Sequence, residues 1–240
     1  RIEVDRNALN DPLLEGANQI KDLVRNLSGQ STVIQWSHQV YWGFVLTGPR
    51  NHVLVLRGTQ RNYEWVQTVR ARQVVSQDVP EFDFPGAIHT GFANIYAELS
   101  QLVLAAARQL DPAKPLFVSG HSLGAPLATL AALDIAQNVP ALQDQIRLYT
   151  YAGPKLGNTE FAEAHSRLVP NSYRVVNFAD PVTLLPPTKT EDLVYVHLGE
   201  EWAFTTYTGD FDSSHFVSAY RAAVDAELEQ ISPNGHESAT

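Results

Sequence analysis

The chain has 240 residues, 44% of them hydrophobic and 18% charged, with 17 basic against 26 acidic side chains for a net charge of −9. These values indicate a globular protein with a sizeable core, and the acidic balance disfavours nucleic acid and anionic membrane surfaces as partners. With no cysteine, disulfides, thiolate metal sites and cysteine nucleophiles are excluded, and no apolar run reaches the length of a membrane span. The first residue is Arg1 rather than methionine. Secretion after removal of a leader is expected on that ground, with a cytoplasmic location as the alternative.

In chain order, Asn10 or Asp11 can cap a helix with Pro12 at its start, and Leu13, Ala17, Ile20, Val24 and Leu27 follow on one helical face. Residues 32–36, 40–47 and 52–56 are rich in β-branched and aromatic side chains, and a Gly-Pro-Arg-Asn turn separates the last two. Antiparallel pairing at the start of a sheet is expected there. Residues 78–85 read as a loop, and a long helix covers roughly 93–110 before Asp111-Pro112 ends it. Strands are expected over 146–151 and 173–178, with a helix over 158–168 between them. Residues 193–198 and 202–207 read as a hairpin, and a last helix covers 215–231. Residues 1–231 are expected to form one domain, and 232–240 have the polar composition of a disordered tail. Strands alternating with helices imply an α/β sheet covered on both faces.

The most informative stretch is Gly120-His121-Ser122-Leu123-Gly124. An apolar run precedes it and an alanine-rich helical run follows it. A serine at the apex of a sharp strand-to-helix turn presents its hydroxyl as a nucleophile. The glycines are needed because side chains beside that turn would collide with it. Pro126 fits the first helical turn, where no N–H is missed.

A serine hydroxyl needs a base, and the base needs an acid that fixes its tautomer. In this kind of turn the acid and then the histidine follow the serine along the chain. His165, His197, His215 and His236 remain. The first two fall within an expected helix and strand, and the fourth falls in the tail. His215 lies on a connection, where a rigid scaffold holds functional residues. For the acid, Asp180 stands just past a strand, with Pro181 biasing it away from helical conformation. Asp192, Asp210 and Asp212 are the alternatives. The developing oxyanion needs two donors. One is the backbone N–H of Leu123, and Thr59, after an earlier strand and next to Gly58, fits the other.

These residues resemble the class 3, or fungal-lipase-like, family of the α/β-hydrolase fold. The matching pieces are Leu56-Arg57-Gly58-Thr59, His89-Thr90-Gly91-Phe92, the turn around Ser122, Tyr151-Ala152-Gly153-Pro154-Lys155-Leu156-Gly157, Asn177-Phe178-Ala179-Asp180-Pro181-Val182, and His215. The resemblance implies a mostly parallel central sheet with helices on both faces. It also implies hydrolysis of acylglycerol esters through an acyl-enzyme, without cofactor or metal. Ser122, Asp180 and His215 take the catalytic roles, and Thr59 and Leu123 the oxyanion hole. A mobile lid falls at about 60–69, where Tyr63, Trp65, Val66 and Val69 would meet a lipid or ester substrate at an oil–water interface. Thr68 stands where many members carry an aspartate. Short acyl or aromatic-acid esters are the alternative substrates, and a lipase-like binding protein without turnover is the alternative class. His89 and His121 are read as packing and hydrogen-bonding residues. Leu184, Leu185, Pro186 and Pro187 suit either an acyl site or the core.

Overall fold

Along His52–Leu56, Leu116–His121 and Ile146–Tyr151 every second side chain is buried. That is the period of a strand with its core on one face. The computed structural model of the protein describes residues 2–5, 39–58, 73–79, 82–190, 193–207 and 209–231. The strands are β1 (Ile2–Asp5), β2 (Gln39–Thr47), β3 (His52–Leu56), β4 (Gln73–Val75), β5 (Ala87–His89), β6 (Leu116–His121), β7 (Ile146–Tyr151), β8 (Ser172–Asn177), β9 (Lys189–Thr190), β10 (Leu193–Val194) and β11 (Glu200–Phe204). The α-helices are α1 (Thr90–Ala107), α2 (Gly124–Asn138), α3 (Thr159–Leu168), α4 (Phe211–His215) and α5 (Val217–Ile231).

Among the described residues the main sheet has seven strands in the order β1-β2-β3-β6-β7-β8-β11. The pairs β1–β2 and β2–β3 are antiparallel, and β3, β6, β7, β8 and β11 run parallel. This is the mostly parallel sheet expected from the sequence. Helix α2 packs on β3, β6 and β7 and against α1. Its residues from Gly124 to Ala136 are all buried, so it is covered on every side rather than amphipathic, with Asp134 satisfied by the Tyr96 and Ser100 hydroxyls. Leu127, Leu130 and Ala131 meet Leu56, Leu116, Val118 and Leu148 in the larger core. Each leucine buried there contributes about 1.5–3 kcal/mol. A second cluster lies on the other face, where Tyr220 of α5 packs with Ala152, Val175, Trp202 and Phe204. Leu148 and Tyr151 show the division, since residues of opposite parity on one strand point to opposite faces.

The segment over 193–207 departs from the expected hairpin. Leu193–Val194 pair with Lys189–Thr190, whereas Glu200–Phe204 join the main sheet parallel to β8, with Trp202 opposite Val175. Pairing with β8 lets Trp202 and Phe204 reach the core under Tyr220, which a solvent-facing hairpin would not. The last helix is broken rather than continuous. Phe216 is extended (φ −66°, ψ 146°) and separates α4 from α5. The antiparallel pair β4–β5 has no counterpart in the sequence reading, because three-residue strands are too short to show alternation. The long helix begins three residues before its expected start because His89 caps it, Nδ1 accepting the Gly91 N–H at 3.1 Å. The expected helix over 11–27, the strand over 32–36 and the polar tail lie outside the described residues.

Candidate active site

The strand β6 is the fourth of the seven, flanked on both sides by parallel partners, and delivers Ser122 at its carboxyl end. Ser122 has φ 58°, a left-handed conformation that costs a non-glycine residue about 1–2 kcal/mol. The surroundings enforce it. Its N–H donates to Tyr151 O at 3.0 Å, and its carbonyl accepts the Ala125 N–H at 3.0 Å. A Cβ on Gly120 would overlap Gly124 O, and one on Gly124 would overlap Leu56 O, so both positions must stay bare. Helix α2 begins at once, with Leu123 as its N-cap. The Leu123 N–H is thus among the helix-end donors that have no acceptor within the helix.

Ser122 is nearly buried, at 5% exposure. Its Oγ lies 2.8 Å from Nε2 of His215, and Nδ1 of His215 lies 2.8 Å from Oδ2 of Asp180. The carboxylate accepts at Oδ2, so Nδ1 carries the proton there, and Nε2 is the acceptor facing the serine hydroxyl. Asp180 itself is fixed from several sides. Its Oδ1 accepts the Val182 N–H at 2.9 Å, and its Oδ2 also accepts the Tyr220 hydroxyl at 2.7 Å. Pro181 starts the 3-10 turn Pro181–Leu184, and Thr183 Oγ1 donates to Asp180 O at 2.8 Å. The Asp180 side chain is fully buried, and that of His215 is 14% exposed.

Ser122, Asp180 and His215, from three separate segments of the chain, are thus brought together. The other candidates are placed elsewhere. His165 is fully buried in α3, where Nε2 lies 3.3 Å from Thr129 O, and burial lowers its pKa to about 4. His197 has Nε2 2.8 Å from Thr183 O, and burial, with Arg174 adding to it, lowers its pKa to about 4. Asp210 caps α4 through the Ser213 N–H at 2.6 Å, and Asp212 lies within that helix. Asp192 and His236 lie outside the described residues, as do Thr59 and the lid positions Tyr63, Trp65, Val66 and Val69. The residue before Thr59 is described. A Cβ on Gly58 would come within 2.7 Å of His121 O and 3.3 Å of Ser122 Cβ, so the chain leading to Thr59 passes directly against the serine turn.

Three contributors, Tyr220, Lys155 and Asn177, received no role in sequence reasoning, and His121, read there as a packing and hydrogen-bonding residue, does both here. Tyr220 holds the acid from α5, and its position in a helix gave no signal. Burial, with the charge of Asp180 adding to it, raises its pKa, so the phenol remains a donor. Lys155 is buried and donates from Nζ to Leu184 O at 2.6 Å and Pro186 O at 3.1 Å, tying down the segment after the acid. Burial, with Arg174 as a lesser cause, lowers its pKa. Along that segment Leu184 is exposed, Leu185 half-buried and Pro186 buried. Asn177 and His121 bond to the backbone around His215.

The family model for class 3 lipases matches residues 53–190. A secreted mono- and diacylglycerol lipase of Fusarium solani is 37% identical over 103 residues, covering 42% of this chain and 30% of its own. Among solved structures, a deletion mutant of the Rhizomucor miehei lipase propeptide complex superposes with a TM-score of 0.58 at 29% identity, over 68% of this chain and 51% of that one. A triacylglycerol lipase described as having a serine protease triad as its catalytic centre superposes with a TM-score of 0.55 at 30% identity, over 65% of this chain and 58% of that one. The chain thus spans about a third of the Fusarium relative and little more than half of these two structures. With a match that covers more than half of its own length, this chain belongs to the class 3 lipase family of the α/β-hydrolase fold.

Proposed function

We propose that this protein is a serine carboxylic ester hydrolase that acts on acylglycerols. The observation that carries the reading is the continuous hydrogen-bonded line from Ser122 Oγ through His215 to Asp180. His215 Nε2 takes the hydroxyl proton as Ser122 Oγ attacks the ester carbonyl. Asp180 stabilises the imidazolium that results. The tetrahedral oxyanion is held by the Leu123 N–H, with Thr59 as the second donor. Collapse expels the alcohol, which takes its proton from His215, and leaves an acyl-enzyme on Ser122. Water, activated by the same histidine, then releases the fatty acid.

Two features favour a neutral lipid. Phe178, Leu184, Phe216 and Val217 are all more than half exposed, and they lie on the segments that carry Asp180 and His215. An apolar collar on those segments suits a substrate presented at an oil–water interface. The net charge of −9 disfavours anionic phospholipid surfaces and leaves uncharged glycerides as the better match. Secretion is part of this reading, as it would bring the enzyme to oil droplets outside the cell. No helix among the described residues is long and apolar enough to cross a membrane.

The test is a substrate panel of dioctanoylglycerol, trioctanoylglycerol, phosphatidylglycerol vesicles, p-nitrophenyl acetate and a feruloyl ester. Highest turnover on the octanoylglycerols supports the proposal. Preference for the acetate or feruloyl ester would make the protein an esterase. No turnover on any of them, with binding retained, would place it among lipase-like binding proteins.

A further inference from the structure

His215 ends the five-residue helix α4, and the extended Phe216 follows it. Its backbone therefore gets little support from regular structure. Two side chains supply support instead. Asn177 Nδ2 donates to Ser214 O at 3.0 Å, and His121 Nε2 donates to His215 O at 2.8 Å. Consecutive carbonyls of the segment are gripped, each from a different strand. Asn177 ends β8, three residues before Asp180. His121 ends β6, immediately before Ser122.

Both groups are built for the task. Asn177 has 0% exposure, and its carboxamide is fully used. Oδ1 accepts the N–H groups of Ala179 at 3.1 Å and Thr206 at 3.0 Å, and Nδ2 donates to Thr206 O at 2.8 Å as well as to Ser214 O. One amide thus joins the acid turn, the connection after β11 and the histidine segment. Burial, reinforced by His215, lowers the pKa of His121 to about 4, so its ring is neutral at ordinary pH and has one N–H. A carbonyl accepts only from an N–H, which places that proton on Nε2. The ring packs 4.9 Å from the His215 ring, centroid to centroid, and lies edge-on to Tyr220 at 5.7 Å.

We infer that His121 and Asn177 are positioning residues for His215, fixing its backbone against the strands that carry Ser122 and Asp180. The inference rests on the reading of His215 as the base. Neither residue needs to touch substrate. Each acts through a carbonyl, and the quantity at stake is the placement of Nε2. A displacement of about 1 Å in such a group can cost about 100-fold in rate.

The experiment compares His121→Phe, His121→Gln and Asn177→Asp with the wild type. Phenylalanine keeps the ring volume and removes the donor, whereas glutamine restores an amide N–H at similar reach. Aspartate keeps the acceptor of Asn177 and removes both donors. For each, kcat and KM are measured on a dissolved ester, together with the rate of Ser122 labelling by a fluorophosphonate and the melting temperature. His121→Phe and Asn177→Asp should lose about 10- to 100-fold in both kcat and labelling rate with KM nearly unchanged. His121→Gln should recover most of the loss. If Asn177→Asp does not fold, the two His121 variants decide alone. Wild-type kcat and labelling in His121→Phe, with or without a lower melting temperature, would overturn the inference and leave the triad reading intact. A loss that His121→Gln does not recover would also overturn it. A wild type that neither turns over an ester nor takes the label would instead overturn the triad reading, and this inference with it.

Discussion

Tyr220 donates its hydroxyl to Asp180 Oδ2 at 2.7 Å, and the same oxygen accepts Nδ1–H of His215 at 2.8 Å. The phenol oxygen in turn accepts the Asn177 N–H at 3.1 Å. The acid is thereby held by a side chain from a helix that follows the base. In a buried setting a hydrogen bond to a charged group contributes about 1.5–3 kcal/mol. Tyr220→Phe keeps the packing against Phe204 and His121 and removes only the oxygen. Stability should fall by about that amount in a denaturant titration. Turnover should fall less than tenfold, because Asp180 retains the Val182 N–H and His215.

The glycines of the serine turn should be less replaceable than the serine. Ser122→Ala removes one oxygen and should unfold at nearly the wild-type denaturant concentration, while losing roughly 10⁴-fold or more in turnover. Gly120→Ala places a methyl group into the Gly124 backbone, which cannot move without shifting α2. A loss of about 3 kcal/mol or more in stability is expected, at the upper end for a single substitution. Gly58→Ala meets His121 O and the Ser122 side chain, so it should reduce turnover more than stability.

Much of this arrangement was legible in the sequence because it depends on local chemistry. Gly120, Ser122 and Gly124 announce a turn that tolerates no side chains, and Asp180-Pro181 announces a strand end. The strands expected over 52–56 and 146–151 coincide with β3 and β7, whereas the apolar run before Gly120 marked β6 without bounds. Longer-range pairing was not legible. Residues 200–204 have the composition of any half-buried strand, and only the packing of Trp202 and Phe204 beneath Tyr220 sends them to β8 rather than into a hairpin. Tyr220 and Asn177 were silent for a related reason. Their roles are set by what three distant segments bring to them, and neither lies at a distinctive spacing from Ser122.

Acid should destabilise the protein through its buried histidines. His89, His121, His165 and His197 have pKa values lowered to about 4, with desolvation the leading cause in each. An unfolded histidine titrates near 6.5, so between pH 6.5 and 4 the unfolded chain binds more protons than the folded one. Stability therefore falls as pH drops through that window, by up to about 3 kcal/mol for each residue. The combined cost is comparable with the whole stability of a typical domain, and acid unfolding is expected with a midpoint above pH 4. Asp134, whose pKa is raised by burial, acts in the opposite direction and offsets part of it. His165→Phe should flatten the dependence of melting temperature on pH between 6.5 and 4. An unchanged slope would mean that His165 is not buried neutral.

The central claim is that His215 and Asp180 make Ser122 a nucleophile. Its most direct test is covalent labelling with a fluorophosphonate, followed by mass spectrometry of the proteolysed protein. The wild type should acquire one stoichiometric adduct on the peptide containing Ser122. Ser122→Ala should acquire none, and His215→Ala should label more slowly by orders of magnitude. An unlabelled wild type, an adduct on another residue, or labelling of His215→Ala at the wild-type rate would contradict the account.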